Sequence, residues 1–164
     1  MADLALEKRK RAFLPENYEI TSWKPLQIYY ENIKNRVIEN AGDFLEWLKD
    51  RSELESMVSE DFAWRYIRMT CDTADAALQQ AYQDFVENIQ PHLASYSDLL
   101  NKKALEYAEK WPVEEAGYAI MLRGIRESVK IFREENIALF TDIQLKQAEY
   151  QSVTGAMTVT LDGE

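Results

Sequence analysis

The feature that most limits how this chain can fold is a run of apolar residues between positions 78 and 100. Leu78, Tyr82, Phe85, Ile89, Leu93, Tyr96 and Leu100 follow one another at steps of 4, 3, 4, 4, 3 and 4. That is the period of a helix face, not the two-residue alternation of a strand. Pro91 falls inside the run and removes one backbone hydrogen bond, so a kink or a break of about one turn is expected around Gln90. Trp111-Pro112 closes the segment, because the residue before a proline is pushed out of the helical region.

The same period recurs on both sides of this run. Leu26, Tyr29, Tyr30, Ile33, Val37 and Ile38 make one stripe, opened by a Thr21 or Ser22 cap with Pro25 in the first turn and ended by Asn40-Ala41-Gly42. Asp43 then caps a shorter helix with Phe44, Trp47 and Leu48 on one face. Ser52 with Glu55 reads as a capping box ahead of Leu54, Met57 and Val58. Ser59 repeats the capping signal before Phe62, Ala63, Tyr66, Ile67 and Thr70, which places Cys71 on or near a buried side. Glu114 and Glu115 suit the first turn of a later helix, whose Tyr118, Leu122, Ile125, Val129 and Phe132 repeat at 4, 3, 4 and 3. Asn136 interrupts that helix, and Ile137 to about Val153 forms the last one, before Gly155.

With only five glycines and four prolines in 164 residues, the expected fold is all-α, a bundle of about six helices without internal repeats. Residues 1–22 form an arm that packs locally around Phe13-Leu14-Pro15, and residues 1–155 together make one helical domain. The tail changes character. Met157, Val159 and Leu161 alternate with Thr158, Thr160 and Asp162, and Asp162-Gly163 spells a tight turn. Residues 156–164 therefore read as the start of a β-hairpin whose second strand is missing, a short C-terminal strand left unpaired by truncation. Such a strand is expected to be disordered or to find a partner by self-association.

A formal net charge of −10 repels a phosphate backbone, and the Lys8-Arg9-Lys10-Arg11 block reads as a solvated helix face, so no nucleic-acid partner is expected. No window of 18 uncharged apolar residues exists, so no membrane partner is expected either. The N-terminus carries acids where a signal peptide needs bases, and Cys71 is alone. Both point to the cytoplasm.

The inventory of reactive groups is short. His92 is the only histidine, and zinc needs H-E-x-x-H or paired Cys and His, while a di-iron bundle needs Glu three residues before His, where Ile89 stands. His92 is thus given a structural or surface role and Cys71 that of a buried thiol. Glu114-Glu115 and Glu134-Glu135 are adjacent pairs whose side chains diverge on a helix, so they read as solvated faces. Tyr29, Tyr30, Trp47, Trp64, Tyr66 and Trp111 are assigned to the core before a ligand groove. No residue is assigned to catalysis, to metal binding or to substrate binding.

Six stretches carry a resemblance: Arg11 to Asn17, Asp50 to Glu55, Arg65 to Thr73, Tyr96 to Lys103, Phe132 to Ile137 and Tyr150 to Gly163. Together, and in this order, they resemble the N-terminal region of bacterial oligoendopeptidase F-like proteins, within the thimet-oligopeptidase-like family of zinc metallopeptidases. The resemblance implies a parent enzyme that hydrolyses short peptides in a helix-walled channel. Its zinc would be held by an H-E-x-x-H helix and a downstream glutamate, in a C-terminal catalytic region absent from this sequence. No position here matches that motif, so no cofactor is expected on this chain and zinc is expected in the parent. The implied role is a wall or lid of the channel, with the catalytic region as partner. The alternative is a free-standing helical interaction module.

Overall fold

The computed structural model describes residues 11–113 and 116–159. Among them six helices follow one another: α1 Trp23–Asn35, α2 Ala41–Cys71, α3 Ala76–Asn88, α4 Gln90–Lys110, α5 Ala116–Ile131 and α6 Asn136–Gly155. The described residues contain no strand, and the fold is an all-α bundle. Helix α4 lies at its centre, packed on α1, α3, α5 and α6, while α2 packs on α1, α3 and α6.

Several boundaries differ from the sequence reading. α1 ends at Asn35, before Val37, which is exposed, and Ile38, which reaches the core from the connecting segment. Asn40 is not a stop but the cap of α2: its side chain accepts from the Asp43 backbone N–H at 3.0 Å, while the Asp43 carboxylate accepts from the Glu39 N–H at 3.0 Å. The capping signals at Ser52 and Ser59 do not break the chain. Both residues are exposed on a single helix of 31 residues, about 46 Å long. Neither glycine nor proline occurs between Asp43 and Cys71, and inward residues recur without a gap, so nothing opposes continuation. The break at Pro91 is as expected: α3 stops at Asn88 and α4 starts at Gln90, with Ile89 between them.

The main core lies between α1, α2 and α4. Leu26, Ile33, Phe44, Trp47 and Leu54 are fully buried, and each such side chain stabilises the fold by roughly 1.5–3 kcal/mol. The end of α1 is tied to both neighbours. Trp47 Nε1 donates to the Ile33 carbonyl at 2.8 Å, and Lys103 Nζ donates to the carbonyls of Lys34 at 2.7 Å and Arg36 at 2.6 Å. An ammonium at a helix C-terminus offsets the negative end of its dipole. A smaller core of Met69, Tyr82, Val86 and Ala148 joins α2, α3 and α6.

Of the expected arm, residues 1–10 lie outside the described residues, and residues 11–22 are fastened to α2 by a carboxylate rather than only among themselves. Glu53 of α2 accepts from the backbone N–H groups of Ala12 at 2.8 Å, Phe13 at 3.1 Å and Leu14 at 2.8 Å, and Leu14 and Ile20 are buried. At the other end Met157 to Val159 is exposed and forms no strand, and residues 160–164 of the expected hairpin lie outside the described residues. Glu114 and Glu115 also lie outside them. Cys71 is corrected: it is exposed at the last residue of α2, because the inward stripe passes through Met69 instead.

Candidate functional site

The break at Pro91 and the turn between α5 and α6 together open a cleft of about 590 Å³. Pro91 and Ala94 of α4 form its floor. Ile131 and Phe132 close one side, and Ile137 and Phe140 of α6 the other, with the amides of Gln90, Asn136 and Gln144 among them. Its volume falls within the range of small-ligand pockets. Ile131 at 75% and Phe140 at 62% exposure leave its lips apolar and open. The turn is held by backbone bonds from Asn136 N–H to Arg133 O and from Ile137 N–H to Glu134 O, both 3.1 Å. Arg133, the one charged lining residue, donates to the carbonyls of Lys130 and Phe132. Such a lining can pair with peptide main chain through amides, but offers no acid–base group.

A second hollow of about 820 Å³ lies between the arm, α2 and α5 and includes Arg11, Lys49, Glu53, Glu60, Tyr118 and Met121. Its central carboxylate, Glu53, is occupied by the arm amides.

The reactive residues read from the sequence do not converge. His92 is exposed at the start of α4, its ring stacked on Trp23 with centroids 4.7 Å apart and planes 12° from parallel. Cys71 ends α2, and neither residue lines either cavity. Glu134 and Glu135 are exposed in the turn before α6. Among the described residues no three of His, Cys, Asp and Glu come together, so the groups described do not fit a zinc site. Of the aromatic set, Tyr30 and Trp47 are core, and Tyr29 and Trp111 pack against it. Trp64 and Tyr66 are corrected: both are exposed, because α2 turns only one face to its neighbours.

Sequence reasoning missed a polar group inside the bundle. Arg51 is buried on the inward face of α2, donating to Glu55 at 2.8 Å and to the buried Asn101 of α4 at 2.5 Å. Its spacing three residues before Leu54 does not by itself mark it as buried, because its partner Asn101 is 50 residues away. Nearby, burial first and then the Glu55 charge push the Tyr30 phenol above its ordinary value. Tyr96 donates to the Glu31 carboxylate, which lies below its usual range first through that bond and then through Lys34. Burial raises Tyr96 in turn, with Glu31 adding to it. These groups hold α1, α2 and α4 in register and stand apart from the cleft.

No helix of the described residues is long and apolar enough to cross a membrane. No curated protein and no solved structure matches the chain. The family model for the Peptidase M3 N-terminal domain matches residues 13–132, which run from the arm through α5 and hold the whole of the main core. The match covers well over half of the sequence. The chain therefore belongs to the Peptidase M3 N-terminal domain family.

Proposed function

We propose that this chain is the N-terminal helical domain of a zinc-dependent oligopeptidase of the oligoendopeptidase F type, walling or lidding the channel in which short peptides are cut. The family match over residues 13–132 carries this reading. The six stretches that resemble oligoendopeptidase F-like proteins support the finer assignment. The cleft of α4, α5 and α6 adds a physical reason: apolar lips and lining amides can hold an extended peptide without hydrolysing it. On this reading the hydrolytic zinc, its ligands and the general base lie in the catalytic region. This chain contributes exclusion of bulky substrates and contacts to the peptide. A cytoplasmic location belongs to the same proposal, supported by the lone cysteine.

Two measurements test the proposal. The 164-residue chain should leave a quenched fluorescent peptide uncut and retain no stoichiometric zinc after dialysis, whereas the parent polypeptide should cut the peptide and stop when a chelator is added. Turnover by the isolated chain would sink the assignment. Coding DNA provides the second test: an open frame continuing into H-E-x-x-H supports it, and a stop after codon 164 favours a free-standing interaction module.

A further inference from the structure

Helix α6 buries only Ala148, yet it is apolar on two sides. On the side opposite Ala148, Leu139, Ile143, Lys146, Tyr150 and Val153 recur at steps of 4, 3, 4 and 3, with Ile143 also reaching the rim of the cleft. This is the a/d spacing by which one helix packs along another, and it extends for about 21 Å. The four apolar members are all open, at 61% for Leu139, 49% for Ile143, 68% for Tyr150 and 62% for Val153.

The composition of the seam narrows what can cover it. Asp142 and Glu149, both exposed, follow one edge, and the other edge of Phe140, Gln147 and Thr154 has no charge. A partner helix with basic residues along one flank complements the acidic edge. A second copy of this chain does not. Antiparallel self-pairing brings the acidic edges together, parallel in-register pairing sets Lys146 against Lys146, and each copy adds a formal charge of −10. α6 also begins past residue 132, where the family match ends, so its outer face is not part of the matched domain's own core.

We infer that the outer seam of α6 receives an amphipathic, basic-flanked helix of the peptidase's catalytic region, locking the two regions side by side. This rests on the reading of the chain as one domain of a larger peptidase. Lys146, the single charge within the seam, sets the register by requiring a carboxylate or amide opposite it.

The test uses Val153→Cys in a Cys71→Ser background, since Cys71 is exposed and would react as well. A thiol-reactive dye should label Val153→Cys fast in the isolated chain and about tenfold or more slowly in the full-length peptidase. Adding Ile143→Lys and Tyr150→Lys should restore fast labelling in the full-length protein while leaving the melting temperature of the isolated chain unchanged. Equal labelling in the two proteins overturns the inference. So does a Cys protected in the isolated chain together with a dimer by light scattering, which would name a second copy as the occupant. Chelator-sensitive peptide turnover is read on the same preparation. Turnover with an unprotected Cys overturns the docking alone, whereas protection without turnover overturns the peptidase reading and the partner's stated identity with it.

Discussion

Glu31 illustrates how single residues set the behaviour of this bundle. It lies on α1, accepts from the Tyr96 hydroxyl of α4 and pairs with Lys34 at 3.1 Å. These partners favour its charged form, so its folded value lies below the ordinary 4.5. A carboxylate lowered on folding adds stability above its unfolded value, and that stability is lost as pH falls through the lower folded value. Wild type should therefore melt higher than Glu31→Gln near neutrality, and the gap should close as pH drops below about 4.5. A gap that stays constant down to the acid limb would remove Glu31 from the account. His92 is given a structural or surface role because metal and acid–base chemistry need partners that the composition lacks, and the fold places it exposed and stacked on Trp23. Arg51 was not legible, since an arginine three positions from Leu54 reads as solvated until Asn101 arrives from 50 residues away.

Among the elements, the break at Pro91 was readable because a missing N–H acts wherever the residue sits. Serine is different. Ser52 and Ser59 can cap a helix or ride on its surface, and only the unbroken inward stripe of α2 decides between the two. Gly155 marks a contact as well as an end. A Cβ there would lie 2.8 Å from Thr73 Oγ1 and 2.9 Å from Thr73 Cγ2, at the turn between α2 and α3. The same turn is joined to α6 by Gln79, which donates to Thr73 O at 2.5 Å and to Ser152 Oγ at 3.1 Å. Gly155→Ala should cost roughly 1–3 kcal/mol in urea unfolding, against the small gain alanine brings elsewhere in a helix. In a Thr73→Ala background, which removes Oγ1 and Cγ2 but keeps the Cβ 3.3 Å away, the same change should cost clearly less. Additive costs would contradict this close approach.

At the scale of the whole molecule, stability is unevenly distributed. The main core fills the space between α1, α2 and α4, whereas α6 contributes one buried residue, Ala148, and the half-buried Leu145 to the smaller one. Amide exchange should therefore be slowest around Trp47, Leu54, Leu100 and Ala104 and faster by orders of magnitude along α6. Uniform protection across all six helices would show that the two cores open as one. The cleft exists only at this scale, because its walls come from the start of α4, the end of α5 and the first turns of α6.

By itself the sequence determined the all-α class, the break at Pro91, the end of α4 before Pro112 and the lack of any paired ligand motif. These depend on apolar period, on proline's covalent geometry and on composition, all of which act locally. Tertiary structure alone decided that α2 is continuous, that Cys71, Trp64 and Tyr66 face outward, that Arg51 is inside and that α6 leaves a seam open. In each of those cases a helix face could point either way until a neighbour came to bury it, and the neighbour is distant in the chain.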